Sequence, residues 1–259
     1  MADNFLIPDW PAPARVKSAI TLRVGGCSRA PFDSNNLALH VSDSAVDVQK
    51  NRNNLIAALA LPGEPLWLDQ CHGTELAYVP DYLIDQVPQQ VVTADGSYSD
   101  KANTVCAILT ADCLPVLFCN QSGSQVAAAH AGWRGLCGGI LRKTVATFDE
   151  SPQQVMAYLG PAIGPQIFEV GAEVLQAFLQ GAQNTHHQQA VRQAFKAVDG
   201  SVNKYLADLY ALARAELRAF GVNQIYGGNY CTYSDSERFY SFRRESKTGR
   251  NASLIWLQG

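Results

Sequence analysis

Between residues 104 and 131 three apolar runs follow one another closely: "TVCAILT", "LPVLFC" and "QVAAAHA". Runs of this length read as buried strands, and Gly123, between the last two, supplies the turn of a hairpin. Around this block, strand-like and helix-like stretches alternate. "VKSAITLRV" reads as a strand, and the turn-rich "GGCSRAPFDSNNLALHVSD" follows as a loop. "SAVDVQKNRNNLIAALA" reads as a helix capped by Ser44, with Val48, Leu55 and Leu59 on its apolar face. Short strands are expected at "LWLDQ", "LAYV", "VMAYLGP", "QIYGG", "RFYSFRRE" and "ASLIWLQ". Helices are expected at "GLCGGILRKTVATFDE", "GAEVLQAFLQ" and "VNKYLADLYALARAELRAFG". In the last of these Leu206, Leu209, Ala213, Leu217 and Phe220 form one stripe, and Gly221 is a natural stop. Hairpin-like runs among separate helices give an α+β class rather than a doubly wound parallel sheet. Neither G-x-G-x-x-G nor G-x-x-x-x-G-K-[ST] occurs, so the two common nucleotide-phosphate loops are absent.

The chain has 259 residues, of which 47% are hydrophobic and 17% charged, enough for a substantial core. A net charge of -3 gives no bulk attraction to nucleic acid or to an anionic membrane. The start, "MADNFLIPDWPAPARV", lacks the apolar region of a signal peptide, and no run reaches membrane-spanning length. Seven cysteines without a CxxC pair fit a cytoplasmic protein with reduced thiols. Cys71, Cys106, Cys119 and Cys137 read as small buried hydrophobes. His186 and His187, within the polar "QGAQNTHHQQAVRQ", read as solvent-exposed residues of a loop or helical connection.

Three of the five histidines stand where chemistry is plausible: His40 in "LALHVSD", His72 in "LDQCHGTE" and His130 in "AAAHAGWRG". Cys113 lies beside Asp112 and just before Leu114-Pro115, where a missing N–H interrupts strand pairing and a side chain can turn toward a site. His72, Cys113 and His130 together offer three ligands of borderline softness, the pattern of a catalytic zinc with one open position. Equally, Cys113 with His130 or His72 is a nucleophile and its base. The residues alone leave these two readings open. Arg134, opening a helix after "GW", is a candidate anion contact, as are Arg23 before Gly25-Gly26 and Arg52 in "KNRNN". Arg243, Arg244 and Arg250 read as a solvated basic face. Asp112 and Glu75 are candidates for moving protons.

The chain closely resembles the YfiH family, also called the laccase-domain, multicopper polyphenol oxidase or peptidoglycan editing factor family. The matching segments span essentially its whole length. They include "IPDWPAP", "NRNNL", "LWLDQCHGTE", "ADGSYSD", "TVCAILTADCLPVLFCN", "VAAAHAGWRGLCGGIL", "LGPAIGPQIFEVG", "CTYSDSERFYSFRRE" and "TGRNASLIWL". The resemblance implies one domain over residues 1–259, a layered α/β/β/α sandwich like that of the cytotoxic-factor-like cysteine hydrolases. It implies a metal, usually Zn2+ with Cu2+ as an alternative, held by His72, Cys113 and His130. It implies phosphorolysis of adenosine, inosine, guanosine and 5'-methylthioadenosine, with adenosine deamination beside it, in a cytoplasmic enzyme expected to be a monomer. It also places an arginine of the first half, Arg52 or Arg23, near the substrate.

Two other activities belong to the same reading. A cysteine hydrolase acting on peptidoglycan precursors would use Cys113 as its nucleophile. A copper-dependent polyphenol oxidase suits the family label, but a blue-copper site takes two histidines and a cysteine and a trinuclear cluster many more, against five histidines here.

Overall fold

The computed structural model describes residues 4–80 and 91–259. Its central feature is a pair of sheets. The larger runs in the order β14 (Gln224–Gly227), β10 (Val155–Leu159), β8 (Leu114–Asn120), β9 (Val126–Ala131), β6 (Gly96–Ser99) and β4 (Leu76–Tyr78). The smaller is β1 (Phe5–Leu6), β2 (Val16–Thr21), β15 (Asn251–Leu257) and β7 (Val105–Thr110). The pairing of β8 with β9 is the antiparallel hairpin expected around Gly123, whose φ of 68° suits a residue without a side chain.

Every residue of β7, β8 and β9 is buried. Ile20, Ile108, Ile255 and Leu257 of the smaller sheet pack with Leu117, Cys119, Val126 and Met156 of the larger. The other face of the larger sheet presents Val116, Phe118, Ala127 and Ala129 to α2 (Trp133–Gly138), α3 (Ile140–Val145) and α6 (Leu209–Ala219). The other face of the smaller sheet, with Ala107, Leu109 and Leu254, meets Leu55 of α1 (Ala45–Leu59). Strands buried on both faces read as continuous apolar runs, which is why this block is the clearest signal in the sequence. Ser44 caps α1 by accepting from Asp47 N, as its sequence implies.

Four local expectations differ from the structure. The helix expected over "GLCGGILRKTVATFDE" is two short helices, because Gly139 takes a left-handed φ of 88° between α2 and α3. The start of the helix expected over "VNKYLADLYALARAELRAFG" is instead β13 (Lys204–Ala207), paired on both sides with β11 (Glu169–Gly171) and β12 (Phe195–Ala197). Asp208 then caps α6 through Ala211 N at 2.9 Å, so Leu206 belongs to a strand and not to the helical stripe. The polar Gln-rich segment contains α5 (Thr185–Gln193), capped by Asn184, and its His187 is buried at 5% exposure. "RFYSFRRE" forms turns instead of a strand. Side-chain acceptors take its backbone donors: Tyr240 N donates to Asn251 Oδ1 at 2.9 Å, and Arg243 N to Asp112 Oδ2 at 2.7 Å.

Candidate metal centre

The connection between β7 and β8 carries the chain from the smaller sheet to the larger in three residues, Ala111, Asp112 and Cys113. The backbone makes this tight crossing with Asp112 at φ 92°, and Cys113 is left at the end of the space between the sheets. On β9, His130 stands directly across from Pro115, which sets its ring beside Cys113. Pro115 thus sits at the second position of a paired strand, not at a break. His72 comes from the loop after β3 (Leu68–Asp69), at φ 62°, and its ring meets that of His130 edge-on at 4.8 Å between centroids.

The ligand atoms of His72, Cys113 and His130 all lie within 4.8 Å of one another. Three atoms at zinc-bond length from one tetrahedral ion stand about 3.5 Å apart, a gap that small side-chain rotations close. Two imidazoles and a thiolate are a donor set that zinc and copper accept. Among the described residues it is the one cluster of three or more such groups. That suits a single ion and not a multinuclear copper cluster.

Asp95 orients the group. It sits at the start of β6, fully buried, and His130 N donates to its carbonyl at 2.7 Å. Its carboxylate accepts His130 Nδ1 at 2.8 Å, His72 N at 2.9 Å and Gly73 N at 2.6 Å. Cys71 adds a longer contact through its sulfur at 3.2 Å. Burial alone would raise the Asp95 carboxyl, but the bonds from His130 and Gly73 outweigh it and hold the group well below the usual carboxylate range. An ionised carboxylate only accepts, so Nδ1 of His130 carries the proton and Nε2 is left free to bind. Burial likewise opposes a charged thiol at Cys113, and hydrogen bonds from His130 and His72 override it, so the thiol is lowered while His130 is raised. This reciprocal shift favours a thiolate beside an imidazolium, a ligand pair that a cation can claim by displacing one proton.

The centre opens into a cavity of about 390 Å³, within the usual range for a small-molecule site. Trp133, Phe168 and Phe242 give it aromatic walls, and His40, Asp112, Arg243 and Arg250 give it polar ones. Burial, and next the nearby Arg250 charge, pull His40 below the ordinary imidazole range.

The three arginines expected as substrate contacts lie outside the residues that line this cavity. Arg52 is buried in α1, where Nε and Nη2 both donate to Leu37 O at 3.0 and 2.8 Å and the guanidinium stacks on Trp67. Arg23 donates to the carbonyls of Asp33 and Ser236, and Arg134 stacks on Trp133. Glu75 is exposed and pairs with Lys143. Of the cysteines expected as buried filler, Cys106 and Cys119 are buried, and burial pushes both thiols up to about 12. Cys71 is exposed and Cys137 only half-buried. Asp95, within "ADGSYSD", is a functional residue that residue type alone does not single out, although an acid just before a strand glycine is well placed to gather backbone donors.

Comparisons with known proteins agree with this architecture. Residues 17–258 match the family model described as multi-copper polyphenol oxidoreductase laccase. Purine nucleoside phosphorylase YfiH of Escherichia coli K12 is 47% identical over 98% of this chain and 99% of its own length. A Pseudomonas aeruginosa protein named as a purine nucleoside phosphorylase is 48% identical over 98% of both chains. The crystal structure of Neisseria meningitidis protein NMB0706 superposes with a TM-score of 0.90 at 45% identity, covering 99% of this chain and 100% of that one.

Proposed function

The chain belongs to the multi-copper polyphenol oxidoreductase laccase family, and we propose that within it this protein is a metal-dependent purine nucleoside phosphorylase. It cleaves adenosine, inosine, guanosine or 5'-methylthioadenosine with inorganic phosphate and also deaminates adenosine. The observation that carries this reading is the convergence of His72, Cys113 and His130 on an aromatic-walled cavity, in a chain that matches named phosphorylases over nearly its full length. Oxidase chemistry of the multi-copper kind is not supported, since the described residues form a single three-ligand group. Its seven free thiols suit a reducing, cytoplasmic setting. No helix among the described residues is long and apolar enough to cross a membrane.

His72, Cys113 and His130 would hold the ion, zinc by preference. When bound it supplies a Lewis acid and a water of lowered pKa, the activation that deamination at purine C6 requires. Asp95 fixes His130 in the tautomer that presents Nε2. Trp133, Phe168 and Phe242 are flat surfaces for a purine base, and their walls exclude water from the reacting bond.

Metal analysis of the purified protein, followed by incubation with adenosine with and without phosphate, tests the reading. The expected result is about one zinc per chain and phosphate-dependent release of adenine and ribose 1-phosphate. Release of base without phosphate, or no turnover with the metal fully loaded, would refute it. One observation favours a second reading: the thiolate–imidazolium pairing of Cys113 with His130 also suits a cysteine hydrolase acting on peptidoglycan precursors. Cys113→Ser separates the two, because it weakens zinc binding yet keeps an oxygen nucleophile.

A further inference from the structure

The cavity beside the metal centre is cationic in a chain whose net charge is -3. Arg243 and Arg250 line it with three histidines, His40, His72 and His130, and with one carboxylate, Asp112. That carboxylate is already engaged on both oxygens. Thr232 Oγ1 donates to Oδ1 at 2.7 Å, and Arg243 N donates to Oδ2 at 2.7 Å.

Neither cavity arginine has a carboxylate within ion-pair distance among the described residues. Both are held by carbonyl oxygens instead. Arg250 Nη1 donates to Thr248 O at 2.9 Å and Gly249 O at 3.0 Å. Arg243 Nη1 and Nη2 donate to Ile167 O and Glu169 O, both at 3.3 Å. Arg23, Arg142, Arg238 and Arg244 each stand against an acid, and among the arginines without one Arg243 and Arg250 are the two that line the cavity. Carbonyls fix the position of a guanidinium without cancelling its charge. Arg250 is only partly open to solvent, and Asn36 Oδ1 anchors its backbone N–H at 3.0 Å. Burial disfavours the Arg250 charge and the nearby Cys113 and Asp112 offset this only in part, so an anion entering the cavity would stabilise it.

We infer that Arg243 and Arg250 form the oxyanion subsite of the cavity and hold the phosphate co-substrate. This rests on phosphorolysis as the reaction. The subsite shares one wall with the metal centre, because Asp112 ties the backbone of Arg243 to the turn that carries Cys113. Two fixed guanidiniums match the paired oxygens of a phosphate far better than a lysine would. In the reaction an oxygen of HPO4²⁻ bonds to C1′ as the C1′–N9 bond breaks. The bonding pair leaves with the purine, which takes up the proton given up by the phosphate, so the two substrates account for every atom and charge. The arginines neutralise the phosphate as it approaches and keep its attacking oxygen oriented.

The test uses Arg250→Gln, Arg243→Gln and Arg250→Lys in the metal-loaded full chain, with Arg192→Gln on α5 as a charge control outside the cavity. Phosphate KM, nucleoside KM and direct binding of inorganic phosphate by calorimetry are measured for each, with circular dichroism to confirm folding. Each glutamine variant is expected to raise the phosphate KM and Kd about 10–100-fold, as loss of a charge-assisted contact implies, with the nucleoside KM within about twofold of wild type. Arg250→Lys should fall between, and Arg192→Gln should bind phosphate as wild type does. Wild-type phosphate affinity in folded Arg243→Gln and Arg250→Lys together would overturn the inference while leaving phosphorolysis intact. Should Arg250→Gln not fold, these two variants still decide the matter. A wild-type protein that binds phosphate through these arginines but does not phosphorolyse nucleosides would sustain the subsite and refute only the reaction.

Discussion

Replacing Asp95 with asparagine changes one buried atom and should weaken the metal centre without touching a ligand. In the folded protein the carboxylate accepts from His130 Nδ1, His72 N and Gly73 N on its two oxygens. Asparagine has nearly the same shape but only one acceptor oxygen, so its amide must face at least one of these donors. A buried donor left in that state costs about 1–3 kcal/mol. At about 1.4 kcal/mol per tenfold, this amounts to roughly 5–150-fold in affinity wherever the lost bond had held a ligand in place. The typical effect of removing a partner behind a metal ligand, about 10–100-fold, falls in the same range. The assay is zinc competition against a chromophoric chelator, with thermal unfolding of the metal-free proteins run alongside. Asp95→Asn should bind zinc about 10–100-fold more weakly. Its metal-free Tm should fall by about 2–4 °C for each kcal/mol lost. An unchanged zinc affinity in a variant that folds would show that His130 is oriented by its strand alone, and the role given to Asp95 would be wrong.

Three further outcomes follow from particular contacts. Gly132 has a φ of -60° that alanine tolerates, but a Cβ there would stand 2.9 Å from Cys113 Sγ and 3.1 Å from His72 Cδ2. Gly132→Ala should therefore lower metal content sharply while circular dichroism stays that of wild type, and a full complement of metal would count against the close convergence of these ligands. Tyr210 buries a hydroxyl that accepts from Ala162 N at 2.8 Å and meets the carbonyls of Tyr230 at 2.7 Å and Gly160 at 3.1 Å, so Tyr210→Phe should cost about 1–3 kcal/mol in urea unfolding. Burial raises the Glu216 carboxyl although Arg142 at 3.2 Å pulls it down. Above the unfolded value of about 4.3 the unfolded chain has lost a proton that the folded protein keeps, so stability declines as pH rises to the folded value and then levels. Glu216→Gln removes that decline, and its stability relative to wild type should improve as pH rises above about 4.3 when both are unfolded in urea.

Sequence patterning exposes the parts of this fold whose physics is local. The buried strands Val105–Thr110, Leu114–Asn120 and Val126–Ala131 announce themselves as apolar runs because both faces of each are covered. Ser44 and its helix follow from capping and a 3.6-residue period. Lys204–Ala207 is hidden for the opposite reason. A short strand running directly into a capped helix borrows the helix's apolar spacing, and only pairing with two distant segments reveals it. His187 reads as a solvent residue because its neighbours are polar, yet helix formation turns it inward, where its Nε2 lies 3.7 Å from Glu216 Oε2.

The site divides in the same way. His72, Cys113 and His130 stand out by residue type and by their places at strand ends, even with 41 and 17 residues separating them. Arg243 and Arg250 look in sequence like any basic surface stretch, since what distinguishes them is their place in the cavity wall, a property of three-dimensional surroundings. Arg52 shows the converse: a well-placed arginine by motif, but one that lies outside the cavity lining and gives Nε and Nη2 to Leu37 O. A guanidinium that gives Nε and Nη2 to Leu37 O and stacks on Trp67 helps hold the loop before α1, and burial brings it down to about 10. The two cavity arginines retain the positive field that an incoming phosphate would meet. Arg52 thus differs from the two cavity arginines in where its guanidinium lies, and no reading of residue type or spacing could have placed either.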